Sequence, residues 1–234
     1  MPPRLLNRTA VVTGGSRGIG RAVVEQLLQE GARVIAASRS VGQLADLEER
    51  SSPRLITHQV DVTQAGELDR LLEFSQRRFR HIDILCPLAG RLFYADYLTL
   101  SQASLEENLR LNSISAWQTL QKFLPVMSKL GAACFVTPAA LFDQISGLEE
   151  FAASKALLRS YIRSSVNLPG VRVNGIQCGP VNTDAWQAEE LQRLAKEHGW
   201  QWLSPMEVAE SILFLVSEEA RGIRGTELLL SAPR

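Results

Sequence analysis

Two periods of apolar residues hand over to each other along the whole chain. Thr9–Thr13 is a short β-branched run, and from Gly18 to Glu30 the residues Ile19, Val23, Val24, Leu27 and Leu28 recur on one helical face. The handover then repeats. Arg33–Ala37 reads as a second strand, Val41–Arg50 as a helix and Leu55–Val60 as a third strand. Ala65–Arg78 is helical, with Leu68, Leu71, Leu72 and Phe74 apolar, and leads into a strand over Ile82–Cys86. Further along, Ser104–Leu130 is expected as one long helix, Ala132–Val136 as a strand and Gly147–Val166 as a helix. Val171–Gln177 (strand), Pro205–Ser217 (helix) and Thr226–Leu230 (last strand) complete the pattern. Strands alternating with helices of this length build βαβ units. The expected fold is therefore α/β, a doubly wound parallel sheet in three layers, α/β/α. No internal repeat, low-complexity stretch or linker interrupts it, which predicts a single domain over residues 1–234.

Composition narrows the function classes. A chain of 234 residues buries a core without help from disulfides or metals. Lys and Arg number 25 and Asp and Glu 25, so no global field favours nucleic acid or an anionic membrane, and neither is expected as a partner. Apolar runs such as Ile212–Val216 are too short to span a bilayer. Met1-Pro2-Pro3-Arg4 runs almost directly into the first strand, with no signal peptide expected. Three cysteines, Cys86, Cys134 and Cys178, suggest a reducing compartment, and the expected location is cytoplasmic.

Where the first strand meets the first helix stands Thr13-Gly14-Gly15-Ser16-Arg17-Gly18-Ile19-Gly20. Glycines at such a junction allow a tight turn and let backbone N–H groups approach a pyrophosphate, and the helix N-terminus adds partial positive charge. This is dinucleotide-binding chemistry on a Rossmann fold. The glycine spacing resembles that of the short-chain dehydrogenase/reductase family, and further matches follow along nearly the whole chain. Asp61-Val62 resembles the family's adenine-binding pair; Ala89-Gly90 ends the fourth strand. Asn112 and Lys155 fall in the two helices that follow, and Arg172-Val173-Asn174 precedes Gly179, Val181 and Thr183, which resemble the loop around the nicotinamide carboxamide. The resemblance implies a nicotinamide cofactor. An acidic residue at the end of the second strand would bind a ribose 2′-hydroxyl and repel a 2′-phosphate. Ser38-Arg39 stands there instead, with Arg17 in the glycine loop, so NADP(H) is expected over NAD(H).

The family's reaction is hydride transfer coupled to proton delivery by a tyrosine four residues before the lysine. A serine thirteen residues before that tyrosine holds the carbonyl, and an asparagine supports a relay water. Lys155 and Asn112 are kept here, but the tyrosine position is Phe151 and the serine position is Pro138. Neither replacement carries a side-chain proton. Pro87-Leu88 precedes Ala89-Gly90 where the family usually has Asn-Asn, and Ser231-Ala232-Pro233 replaces its aspartate-glycine-glycine. The departures cluster at the reactive end.

Substitute groups to weigh are the hydroxyls of Thr137 and Ser146, the carboxyls of Asp143, Glu149 and Glu150, and Tyr94 and Tyr97. No ligand spacing points to a metal, and the cysteines read as small core residues. Trp186, Trp200 and Trp202 are expected to pack down the segment after the carboxamide loop, and His58, His81 and His198 have no partner that suggests catalysis. Three readings stay open: a silent or weakly active NADP(H)-binding protein, an active oxidoreductase with a substitute donor, and a non-redox enzyme (dehydratase, isomerase or cyclase) in the same pocket. The small-molecule substrate or ligand is not legible. The resemblance implies a homodimer or homotetramer built on the two long helices, or a hetero-oligomer with an active relative.

Overall fold

The computed structural model describes residues 3–94, 97–185, 189, 193, 196–199 and 201–231, with backbone alone at 97, 141 and 144. The elements in chain order are β1 (Thr9–Thr13), α1 (Gly18–Gln29), β2 (Arg33–Ser38), α2 (Ala45–Ser51), β3 (Leu55–Gln59), α3 (Glu67–Arg78) and β4 (Ile82–Pro87). They continue as α4 (Gln102–Leu109), α5 (Ser115–Phe123), β5 (Met127–Pro138), α6 (Glu149–Ser164), β6 (Arg172–Cys178), α7 (Pro205–Val216) and β7 (Glu227–Leu230). The strands form one seven-stranded parallel sheet in the order β3-β2-β1-β4-β5-β6-β7. Winding runs outward from β1 in one direction and from β4 in the other, so a crevice opens at the carboxyl ends of these two strands.

Both sheet faces are covered, which is why the central strands are apolar at nearly every position. Val12, Ala36, Cys86 and Ile176 face α1 and α7, where Val24, Leu27, Ile212 and Leu215 close one core. Val11, Ile35, Leu85 and Phe135 face the other side, packed with Leu71, Phe123, Leu158 and Ile162. A buried cation ties α7 to the sheet. Arg172, 4% exposed, donates to the carbonyls of Leu215 (2.8 Å), Ala220 (2.8 Å) and Ser217 (2.9 Å) at the helix C-terminus. The Leu215 carbonyl belongs to the last turn of α7, at the negative end of the helix dipole, and those of Ser217 and Ala220 lie in the turn that follows.

One expected element is corrected. Ser104–Leu130 is not a single helix: α4 passes through a wide π turn at Arg110–Ile114 into α5, which stops in a 3-10 turn at Leu124–Val126. Pro125 supplies no N–H to continue the ladder. Strand β5 begins at once with Met127, and its pairing with β4 shifts register between Ile82 and Ile84. Apolar residues at 124, 127 and 130 imitate helical spacing across this junction.

Candidate functional site

The glycine loop is shaped by backbone contact. Gly14 has φ +72°, and a Cβ there would lie 2.6 Å from the Ala89 nitrogen; at Gly20 it would lie 2.1 Å from the Gly14 carbonyl oxygen. Any side chain at either position would push the loop away from β4 or from helix α1. Helix α1 then starts at Gly18 with Arg17 at its N-cap, and the Arg17 side chain makes no cap. The first N–H groups of the helix are thus left for an outside acceptor.

A cavity of about 530 Å³ opens over this loop. Gly14, Ser16, Arg17, Gly18, Ile19 and Gly20 form its floor, Ser38 and Arg39 one side, Asp61 and Val62 the next, and Ala89 and Gly90 the junction with β4. The structure therefore brings these sequence-expected residues around one space. The Ser38 hydroxyl is buried there with no hydrogen-bond partner. Among the described residues neither Arg17 nor Arg39 forms an ion pair, and both are exposed on the cavity rim. Burial raises the Asp61 carboxyl, but hydrogen bonds from the Thr63 hydroxyl and N–H, with the Arg39 charge, hold it below its ordinary value.

A second, smaller cavity of about 170 Å³ continues from the first and shares Ile19, Gly90 and Thr183 with it. Asn112, Pro138, Phe151, Lys155, Gly179 and Val181 line it. Asn112 sits in the π turn, and such bulges often mark functional positions. Its carboxamide donates to the Arg91 carbonyl (2.9 Å) and to Asn108 Oδ1 (2.6 Å) and accepts from the Arg91 N–H (3.0 Å). It fastens the segment after β4 to the helix pair. A Cβ on Gly90 would stand 2.7 Å from Asn112 Oδ1 and 3.6 Å from Lys155 Nζ, so glycine admits both groups there. Burial pulls the Lys155 amine down to about 8, and among the described residues no carboxylate lines the cavity beside it.

Phe151 and Pro138 both line the small cavity, as Lys155 does. The substitutes fare differently. Thr137 lines the cavity, and its hydroxyl donates to Glu227 Oε1 at 2.5 Å. Glu227 reaches it across β6 at Gly175, where a Cβ would stand 3.1 Å from Glu227 Cγ. Glu150 accepts from the Ser104 hydroxyl (2.6 Å), Glu149 from the Gly147 N–H (2.8 Å), and Asp143 pairs with Arg159 (3.9 Å). The Tyr94 hydroxyl accepts from Arg193 (3.2 Å), and Ser146 is exposed. None of these last five groups lines the cavity. The Tyr97 side chain, Trp186, Trp200 and Ala232-Pro233 lie outside what is described; Trp202 packs on the cluster of Phe142, Ile145 and Leu148. All three cysteines are buried and free, and burial pushes the cavity-lining Cys178 thiol up to about 12.

Three contributors escaped the sequence reading. Arg91 lines both cavities, stacks over Phe93 (4.1 Å to the ring centre) and pairs with Glu107 (3.3 Å). Phe142 closes one wall of the small cavity. Arg159, whose guanidinium donates to the Pro138 carbonyl, anchors the end of β5. For Arg159 a signal existed: Phe151, Lys155 and Arg159 fall four residues apart, one above another on a helix face.

A nicotinamide dinucleotide fits these residues on three observations: a loop that Cβ atoms would fill, an orphaned Ser38 hydroxyl in the large cavity, and a lone amine in the small one. Known proteins agree with the architecture. A family model described as enoyl-(acyl carrier protein) reductase matches residues 14–232. Dehydrogenase/reductase SDR family member 6 of Rattus norvegicus is 26% identical, covering 97% of this chain and 97% of that protein. Glycine betaine reductase of Emericella nidulans is 27% identical over 92% of this chain, which spans 18% of that longer protein. A short-chain dehydrogenase from Burkholderia cenocepacia, solved in complex with NADP, superposes with a TM-score of 0.89 at 25% identity, covering 97% of this chain and 98% of the other. Glycine loop, sheet order and a match along nearly the full length converge: the chain belongs to the short-chain dehydrogenase/reductase family of oxidoreductases.

Proposed function

We propose that this protein binds NADP(H) in preference to NAD(H), and that it is silent or weakly active as a carbonyl or alcohol oxidoreductase. In this reading the N-terminus of α1 and the glycine loop hold the pyrophosphate, and Arg17 and Arg39 flank a 2′-phosphate beside Ser38. Asp61 and Val62 would border the adenine. Lys155 would hold the nicotinamide ribose, with Gly179, Val181 and Thr183 around the carboxamide. The bound nicotinamide supplies hydride chemistry. What this chain does not supply is the coupled proton. The NADP carried by the similar Burkholderia protein supports the choice of phosphate-bearing cofactor.

The observation that carries the silent reading is the lining of the small cavity, where Phe151 and Pro138 stand beside Lys155. General acid catalysis is worth a factor of ~10²–10⁴, or roughly 3–5 kcal/mol, and an oxyanion donor another ~10². Groups acting as one unit do not multiply, but either absence slows ordinary carbonyl reduction severely. The hydrogen bond from the Thr137 hydroxyl to Glu227 weighs against Thr137 as a substitute donor. Calorimetric titration with NADPH and NADH, followed by a broad carbonyl panel with cofactor bound, tests both halves. Equal affinities overturn the cofactor preference, and brisk reduction by the unmodified protein overturns the silence.

A further inference from the structure

Lys155 sends its amine into a cavity that offers it very little. Leu88, Val136, Pro138, Phe142, Phe151 and Val181 are among its lining residues, and among the described residues no carboxylate lines it. The one nearby carboxamide, Asn112, is committed to Arg91 and Asn108. Among the described residues Nζ has neither a hydrogen-bond acceptor nor an ion-pair partner. Phe151, one turn back on the same helix face, lines the same cavity and has no hydroxyl to offer the ammonium. A lysine amine so placed gives up its proton far more readily than one in water, and here burial brings it down to about 8. A desolvated neutral lysine in an apolar pocket is a carbonyl nucleophile.

We propose that in the dinucleotide-free protein this cavity captures short apolar aldehydes or ketones as a reversible imine on Lys155. The Nζ lone pair attacks the carbonyl carbon and forms the C–N bond. The carbonyl π pair takes a proton from solvent while the nitrogen releases one, giving a neutral carbinolamine; its hydroxyl takes a second proton and leaves as water as the nitrogen lone pair forms the C=N bond, and the nitrogen's remaining proton returns to solvent. One water is released per adduct, nothing is oxidised or reduced, and hydrolysis reverses the step. The apolar wall selects a carbonyl compound with a hydrocarbon tail, and the absence of an acid leaves the amine free to react. This stands apart from the reductase reading, since it needs neither hydride nor bound cofactor.

The test is reductive trapping. The cofactor-free protein is incubated near pH 7.5 with butanal or benzaldehyde and cyanoborohydride, and the alkylated lysines are mapped by peptide mass spectrometry. The chain has four lysines, and Lys122, Lys129 and Lys196 serve as internal comparators. Near this pH an amine titrating at about 8 is neutral on the order of 10²-fold more often than an ordinary lysine. Alkylation of Lys155 is expected faster by about that factor. A Lys155→Arg variant with an unchanged circular dichroism spectrum should lose this adduct and keep the others. Alkylation of Lys155 no faster than of Lys129 and Lys196 would overturn the proposal, and because that comparison is made within the unmodified chain it does not depend on how the variant folds.

Discussion

Restoring the two missing side chains, Phe151→Tyr with Pro138→Ser, asks whether the reactive end is a worn reductase site or a rebuilt one. The backbone around both positions is held independently of them. The Phe151 carbonyl accepts from the Ser154 hydroxyl (2.7 Å), and the Pro138 carbonyl accepts from Arg159; both bonds survive the changes. Proline at 138 also removes no rung between β5 and β6. The Ala139 N–H is the one that donates to the Cys178 carbonyl (2.7 Å), and N–H directions alternate along a strand, so residue 138 faces away from β6. A tyrosine hydroxyl at 151 would enter the small cavity one helical turn from Lys155, whose ammonium lowers a phenol pKa. If proton delivery is the missing term, NADPH-dependent carbonyl reduction should rise by ~10² or more, equivalent to about 3 kcal/mol of barrier. The assay is NADPH consumption over a panel of aldehydes and ketones, with thermal melting and NADPH titration as controls. A folded, NADPH-binding double variant that stays inert would refute the reasoning. The pocket would then have been closed or reshaped for another task.

Other expectations follow from the same contacts. Replacing Arg17 and Arg39 together by alanine should weaken NADPH by ~10–30-fold, given about 1 kcal/mol for each exposed charge-assisted contact, and leave NADH nearly unchanged; calorimetry checks both. Arg172→Leu should cost on the order of 3 kcal/mol in urea denaturation, because it removes charge-assisted hydrogen bonds to the carbonyls of Leu215, Ser217 and Ala220 and leaves that of Leu215 without its donor. Burial depresses Lys155 in the folded state to about 8, so the unfolded chain binds more protons between there and the ordinary lysine range. Stability from this site should therefore rise as pH climbs from 8 toward 10, and the rise should vanish in Lys155→Met when the two are compared by denaturation at both ends. Assembly is expected through α4, α5 and α6, where Leu105 and Ile114 are exposed and Trp117 stacks on Tyr161 at 5.6 Å; a monomer by light scattering at micromolar concentration counts against it.

How far the sequence reaches depends on how local each determinant is. The shape of the glycine loop is legible because its residues are nearly contiguous and constrained by backbone geometry: Gly14 and Gly20 must be glycine for reasons of contact within one turn and with the segment after β4. Ser38 ends β2, Asp61 and Ala89 come just after β3 and β4, and a parallel sheet delivers strand ends to one edge. The break after Phe123 was misread because apolar spacing across 124–130 outweighed Pro125 in a pattern that counts side chains and ignores a missing N–H. At the reactive end, Phe151, Pro138, Lys155 and Asn112 were found through a resemblance in spacing, not through periodicity. What their groups do there was hidden. The Thr137 hydroxyl is taken by a residue ninety positions away, along a path that exists only because Gly175 has no side chain. The character of Lys155 was hidden for a related reason: its proton affinity is set by which groups do not come near it. An acid on α6 such as Glu150 is close in sequence, but the helix turns it toward Ser104 and leaves the amine among carbon. Helical phase over a few residues thus decides whether this lysine is an ion-paired structural group or a lone amine in an apolar cavity.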